Sequence, residues 1–322
     1  MFGKRYVRHL VSRSAENATD RRRFLRTAGA AGLGLVGAGY LGSTLSVASA
    51  GAPSPAEQAA AKGADGAASD AAVLNFALNL EYLEANLYSF AVSGYGLPVQ
   101  LTGGVGKLGG VAGGHAVQFK SQAVRQIAQE IAGDEIAHVN FLRQALGNQA
   151  VAQPQIDFQN SFTAAAQASG LIKQGQTFDP FASENNFLLA AFLFEDVGVT
   201  AYKGAAPLIT NKTFLDAAAG MLAVEAYHAG IVRSQLFERG LGEVTNKLSD
   251  ARDGLDGKGD DDQGVLAGGR ANLVPADGNG IAFGRSADRV LNIAYLNKDK
   301  VTSGGFYPAG VNGDINASGA AS

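Results

Sequence analysis

The chain of 322 residues contains no cysteine and no tryptophan, and only four histidines. The lack of cysteine excludes disulfides, thiolate metal sites, iron–sulfur clusters and a lipid-modified cysteine behind a leader peptide. Charged residues are also few, at 17%, whereas hydrophobic residues reach 46%. A chain of this length and composition can bury a large core, so global disorder is excluded and one large domain or two small ones are expected.

The formal net charge of -3 conceals two regions of opposite sign. Residues 1–50 hold eight Lys or Arg and two Asp or Glu, for a net charge of +6. The remaining residues hold 18 basic against 27 acidic side chains, for a net charge of -9. This distribution is typical of a basic leader on an acidic mature protein, and the acidic body argues against nucleic acid as a partner.

Residues 21–26 read Arg-Arg-Arg-Phe-Leu-Arg, which resembles the twin-arginine export signal, with Asp20 replacing the usual Ser or Thr. Residues 27–50 carry no charge, are rich in glycine and alanine, and end in Ala48-Ser49-Ala50, a small-x-small cleavage pattern. We therefore predict a twin-arginine signal peptide over 1–50, export to the periplasm or beyond, and no membrane span after cleavage. The alternative is an uncleaved membrane anchor, because 24 uncharged residues are long enough to span a bilayer.

The mature chain divides into a linker, a helical region and a tail. Residues 51–68 are rich in Ala, Gly, Pro and Ser and predict a linker. Residues 69–240 predict an all-α four-helix bundle, with Asp70 as the first N-cap. The helices are expected near 71–92, 115–147, 183–206 and 212–239. Residues 241–322 are rich in Gly and Asp and predict an irregular C-terminal extension, with one short helix at Ser286–Tyr295.

The lengths of the connections indicate how the helices are arranged. A short link joins the third and fourth helices, so these two should be antiparallel neighbours. Residues 148–182, between the second and third helices, lack a clear period and are long for a connection within one domain. The sequence therefore predicts a bundle with one long crossover in its middle.

Each of the four predicted helices has a carboxylate inside its apolar stripe. An unpaired carboxylate in a core costs several kcal/mol, and few Lys or Arg lie on these faces to pair with it. A pair of divalent cations would satisfy all of these groups at once. The carboxylates are Glu81, Glu135, Glu195 and Glu225.

Two histidines join this set through a repeated spacing. His138 follows Glu135 by three residues, and His228 follows Glu225 by three, so each pair faces the same side of its helix. With one Glu from each of the other two helices, the set of four Glu and two His matches that of di-iron and di-manganese bundles. We therefore predict two metal ions, iron or manganese, since the ligands suit both.

A tyrosine follows one carboxylate in each half of the chain. Tyr88 lies seven residues after Glu81, and Tyr202 lies seven after Glu195. Each half therefore reads Glu-x6-Tyr and then Glu-x-x-His, a pattern that resembles rubrerythrins and ferritin-like proteins. A tyrosine two turns from a ligand can bond to a carboxylate of the other half. We take both tyrosines as catalytic candidates that orient carboxylates or supply an electron.

Further segments extend this resemblance over roughly residues 70–320. The segments Leu78–Ala85 and Gly94–Leu97 are similar to the ferritin-like family that includes the plant desiccation-related proteins and many exported bacterial homologues. Phe283–Arg285 and the glycine-rich run at 304–313 are similar to its bacterial members. The resemblance implies a ferritin-like fold and metal binding, but no particular reaction.

Several other polar residues have alternative interpretations. Glu84 shares the face of Glu81 and is an alternative ligand or a hydrogen-bond acceptor for a ligand histidine. Asp134 and Asp196 are either partners of the ligand histidines or solvated carboxylates. His115 is expected at the surface. The acidic run at 256–262 lacks the spacing of a calcium loop, so a solvated loop is expected.

Two functions fit these observations. The first is redox chemistry in stress protection, in which the metals react with peroxide or O2, or Fe(II) is oxidised. The second is a non-catalytic desiccation or stress protein, or a structural envelope protein, whose bundle the metals stabilise. Metal ions and a small oxidant are the expected partners. A homo-oligomer is compatible with the sequence.

Overall fold

The computed structural model describes residues 68–257, 259 and 261–321. The signal peptide predicted for 1–50 and nearly all of the linker lie outside these residues. The described part contains seven α-helices, and none of them combines the length and apolarity needed to cross a membrane. The helices are α1 (Asp70–Ser93), α2 (Gln122–Leu146), α3 (Phe158–Ala168), α4 (Glu184–Ala205), α5 (Lys212–Glu238), α6 (Gly242–Asp256) and α7 (Ala287–Ala294).

Helices α1, α2, α4 and α5 form the predicted four-helix bundle. Helix α1 packs against α2 and α4, and α4 packs against α5. The predicted all-α fold with a long crossover between α2 and α4 is therefore confirmed. Helix α2 starts at Gln122 and not near 115, because the Ser121 hydroxyl caps it by accepting from the Val124 amide at 3.3 Å.

The start of α1 also differs from the prediction. Ser69, and not Asp70, is the N-cap, and its hydroxyl accepts from the Ala72 amide. Asp70 instead accepts from the backbone amides of Thr210 and Asn211, at 2.7 and 2.8 Å. This carboxylate therefore fixes the first turn of α1 to the connection between α4 and α5.

The crossover is more regular than predicted. It contains α3, whose apolar residues Phe158 and Phe162 are buried and whose N-terminus is capped by Asp157. It also contains the strand β2 (Ile156–Asp157), which pairs in parallel with β1 (Val111–Ala112) of the loop after α1. The crossover and this loop therefore cover the same side of the bundle.

The C-terminal extension is more regular than the predicted irregular tail with one short helix. Helix α6 has fifteen residues, and its inner face buries the polar residues Thr245, Ser249 and Arg252. A search for apolar periodicity does not detect such a face. After α6 comes a short antiparallel hairpin of β3 (Leu266–Ala267) and β4 (Arg270–Ala271). Helix α7 agrees with the short helix expected at Ser286–Tyr295.

Buried arginines attach this C-terminal region to the bundle. Arg285 is 1% exposed, and its guanidinium donates to Asp256 at 2.7 Å, to the Thr200 hydroxyl at 2.7 Å, and to Asp262. The expectation of a solvated acidic loop at 256–262 is therefore wrong for these two aspartates, which are buried in ion pairs.

The same network explains Asp196. Its carboxylate accepts from Arg233 at 2.7 Å and from Arg252 at 3.1 Å, so it is neither solvated nor a partner of a ligand histidine. The tail approaches α4 closely at Gly204, where any side chain would collide with the carbonyl oxygen of Arg285.

The tail also covers α1. The Asn79 side chain donates to the carbonyl of Asn312 at 2.8 Å and accepts from its amide at 3.0 Å. The Tyr307 hydroxyl donates to the Asn79 carbonyl at 2.7 Å. Helix α1 is therefore enclosed by protein, and every residue from Ala72 to Ser89 is buried. This burial places the middle of α1 in a dry core.

Candidate metal centre

The six predicted ligands meet in the middle of the bundle. All four glutamates have no exposed surface, and the two histidines are at most 8% exposed. Their ligand atoms form two overlapping groups, and within each group the atoms lie within 4.8 Å of one another. One group is Glu81, Glu135, His138 and Glu225, and the other is Glu135, Glu195, Glu225 and His228.

The first group is arranged around the Nδ1 atom of His138. This nitrogen lies 3.2 Å from Glu81 Oε2, 3.4 Å from Glu225 Oε1 and 3.8 Å from Glu135 Oε2. Glu81 comes from α1 and Glu225 from α5, whereas Glu135 comes from α2, the helix that also carries His138. The i, i+3 spacing on α2 therefore directs both side chains to one point.

The second group is arranged around the Nδ1 atom of His228. This nitrogen lies 3.0 Å from Glu135 Oε1 and 3.6 Å from Glu195 Oε2. On the other side of the ring, Nε2 donates to Asp134 Oδ2 at 3.2 Å. A proton held on Nε2 leaves the Nδ1 lone pair free for a cation. Of the two interpretations of Asp134, the structure therefore agrees with that of a partner of a ligand histidine.

The two tyrosines cross-link the halves of the centre. Tyr88 on α1 donates to Glu195 Oε1 on α4, and Tyr202 on α4 donates to Glu81 Oε1 on α1. In each glutamate Oε1 is thus bound by a hydroxyl, and Oε2 faces a histidine. Each tyrosine thus binds the glutamate of the other half, as the Glu-x6-Tyr spacing in the sequence allows.

The ligand atoms are also those that lack hydrogen bonds. Buried polar atoms almost always have a partner, so a cluster of unpaired ones indicates an ion or water. Eight atoms in the centre are buried without a hydrogen bond from the described residues. They are Oε2 of Glu81 and Glu195, both carboxylate oxygens of Glu135 and Glu225, and Nδ1 of His138 and His228.

The electrostatics of the protein alone agree with a cation site. Burial raises the pKa of Glu81 to about 7 and raises that of Glu225 well above its ordinary value. Burial lowers the pKa of each histidine, but the neighbouring carboxylates raise it by more. The main carboxylate is Glu81 for His138 and Glu195 for His228. Without cations the glutamates must hold protons among themselves and the imidazoles. Two divalent ions would replace these protons, so the residues present fit a dinuclear site.

Other candidate residues lie outside the two groups. Glu84 is buried, but the geometry groups Glu81 with the other ligand atoms and not Glu84. His115 is exposed as expected, with its Nε2 atom 2.9 Å from Asp179.

Sequence reasoning missed Gly198, one turn after Glu195. A Cβ atom at this position would lie 2.6 Å from Glu225 Oε2 and 3.1 Å from Glu84 Oε1. The signal was available, because a glycine inside a helix usually has a packing or functional reason.

Comparisons with known proteins agree with this architecture. Residues 69–238 match the model of the ferritin-like domain family. The chain is 32% identical over 242 residues to the desiccation-related protein PCC13-62 of Craterostigma plantagineum, which covers 69% of this chain and 76% of that protein. It is 26% identical over 269 residues to the ferritin-like catalase Nec2 of Nesocodon mauritianus, which covers 76% of this chain and 84% of that protein. No solved structure matches the chain significantly.

Proposed function

The chain belongs to the ferritin-like domain family, and on this premise we propose that it is a dinuclear metal oxidoreductase. Its substrate is a small oxidant, hydrogen peroxide or O2, and its cofactor is a pair of iron or manganese ions. The observation that carries the proposal is the set of eight buried ligand atoms that have no hydrogen bond from any described residue and are arranged in two overlapping groups. The similarity to a protein named as a ferritin-like catalase favours peroxide as the oxidant.

The chain would divide the ligands between the two ions. Glu135 and Glu225 belong to both groups and would bridge the ions. Glu81 and His138 would hold one ion, and Glu195 and His228 would hold the other. When bound, such an ion pair supplies the electron transfer to or from a small oxidant.

The surrounding residues would hold the ligands in place and keep water out. Tyr88 and Tyr202 fix one oxygen of a glutamate each, so that the second oxygen points into the centre. Burial raises the pKa of both hydroxyls well above the ordinary value, and both therefore keep their protons as donors. Asp134 holds the His228 ring through Nε2.

Rapid mixing tests this function. Protein loaded with Fe(II) without oxygen is mixed with hydrogen peroxide or with O2, and oxidation is followed by absorption. The manganese form is tested for the conversion of two peroxide molecules into O2 and two water molecules. We expect oxidation faster than that of Fe(II) in buffer, or peroxide loss from the manganese form. His138→Ala should abolish either reaction, and His115→Ala, at an exposed histidine, should not.

A second candidate function is a stress protein in which the ions only stabilise the bundle. The similarity to a protein named as desiccation-related favours it. Under this alternative, metals raise the melting temperature, yet oxidation is no faster than for free Fe(II) and peroxide persists. In both cases we propose that the protein acts after export by the twin-arginine route, on the basis of Arg21 and Arg22 ahead of the uncharged stretch at 27–50.

A further inference from the structure

Two apolar cavities lie one behind the other beside the metal centre. The inner cavity has a volume of about 30 Å³ and lies between α1, α4 and α7. The outer cavity has a volume of about 190 Å³ and lies between α3, α6 and α7. Leu193 and Ile293 line both cavities, so these two side chains form the partition between them.

The inner cavity ends at the metal centre. Its lining includes Glu84 and Gly198, and among the described residues that line it Glu84 alone is charged. Because Gly198 has no side chain, the carboxylate of Glu225 lies directly behind this part of the wall, 2.6 Å from where a Cβ would be. The cavity therefore reaches a proposed bridging ligand on the side of α1 and α4. The histidines approach the centre from α2 and α5.

The outer cavity reaches the surface. Ala164 and Ala168 of α3 line it and are exposed, whereas the residues that line the inner cavity are all buried. Arg252 is the one charged side chain that the described part of the chain contributes to this lining, and it is already bound to Asp196 and Asp262. The opening thus lies between α3 and α6, two of the helices that stand outside the four-helix bundle.

We propose that these cavities are the route by which a small neutral oxidant reaches the metal centre, an inference that rests on the proposed function. The apolar walls exclude ions, because burying an unpaired charge is costly. The inner cavity has room for a molecule the size of one or two waters. Hydrogen peroxide and O2 meet both conditions, and an organic hydroperoxide does not. The partition of Leu193 and Ile293 therefore sets the size limit.

Xenon tests the route without any metal, because dry apolar cavities bind it. Crystals of the protein under xenon pressure should show xenon in the inner cavity, the outer cavity or both. Ile293→Phe should remove xenon from the inner cavity. Ala168→Phe, at an exposed position where folding is not at risk, should remove it from the outer one. Leu273→Phe is the matched control, since Leu273 lines a separate cavity of about 100 Å³ beside α5.

Kinetics of the metal-loaded protein test the size limit. Ile293→Phe and Ala168→Phe should each slow oxidation severalfold with peroxide and with O2, at unchanged metal content, and Leu273→Phe should not. If only one oxidant is slowed, that oxidant is the one that uses the route. Ile293→Ala should raise the rate with tert-butyl hydroperoxide more than the rate with hydrogen peroxide.

Two results would overturn the route. One is the absence of xenon from both cavities of the unaltered protein. The other is oxidation at the unaltered rate in both Ala168→Phe and Ile293→Phe. A protein that binds xenon in the inner cavity but reacts with neither oxidant contradicts the proposed function instead, so the two failures are distinguishable.

Discussion

Replacing Arg285 by methionine should weaken the attachment of the C-terminal region to the bundle and lower the stability of the protein. The guanidinium is fully buried against two carboxylates and a hydroxyl. Its removal leaves Asp256 with Arg289, and Asp262 with Arg252, so neither carboxylate loses every partner. We therefore expect a loss near the lower end of the range for breaking a buried ion pair, about 3 kcal/mol. In a domain of this size that corresponds to a fall in melting temperature of about 6–12 °C.

The assay is thermal unfolding of the metal-free protein, so that metal binding does not contribute. Lys298→Met is the matched control, because it breaks an exposed ion pair of 3.0 Å with Asp299 and should change stability by less than about 1 kcal/mol. A double-mutant cycle of Arg285→Met with Asp256→Asn should give a clear coupling energy. If Arg285→Met melts like Lys298→Met, the buried network does not hold the tail, and the reasoning is refuted.

Three further predictions concern the fold, the centre and export. Glu184→Gln should lower stability at pH 7 by about 1 kcal/mol, since the carboxylate binds two backbone amides at the start of α2. Partial burial raises the pKa of Glu184, but these amides and an arginine lower it below the ordinary 4.5. Its contribution to stability is therefore complete above about pH 4.5 and is lost at lower pH. In urea unfolding, the stabilities of the unaltered protein and of Glu184→Gln should therefore converge in acid, and a difference that stays constant with pH would contradict this. Tyr202→Phe should weaken manganese binding about 10–100-fold in chelator competition, whereas the exposed Tyr227→Phe should not; equal affinities would exclude the orienting role. Changing Arg21 and Arg22 to lysine should leave the precursor in the cytoplasm on cell fractionation, and undiminished export would exclude the twin-arginine assignment.

The bundle was predictable because its signals are local. Periodic apolar residues define the four helices, and the repeated spacing after Glu135 and Glu225 puts each histidine on the face of its carboxylate. The structure adds that the side chains from different helices meet at one point. It also shows the exchange of tyrosines between halves, which a spacing of seven residues permits but does not require.

The C-terminal region was not predictable in the same way, because long-range pairs of charges hold it. Helix α6 packs through Arg252, whose partner Asp196 lies 56 residues earlier in the chain. No local pattern identifies such a pair. Likewise, the significance of Gly198 depends on the side chain of Glu225, which belongs to a different helix.

The metal content of the purified protein tests the central claim most directly. Protein isolated from its native compartment should contain about two iron or manganese ions per chain by elemental analysis. Glu135→Ala/Glu225→Ala should lose nearly all of this metal, because it removes both proposed bridging ligands. The matched double variant Glu130→Ala/Glu238→Ala changes exposed glutamates on the same two helices and should retain it. Metal near zero in the unaltered protein, or unchanged in the first double variant, would contradict a dinuclear centre.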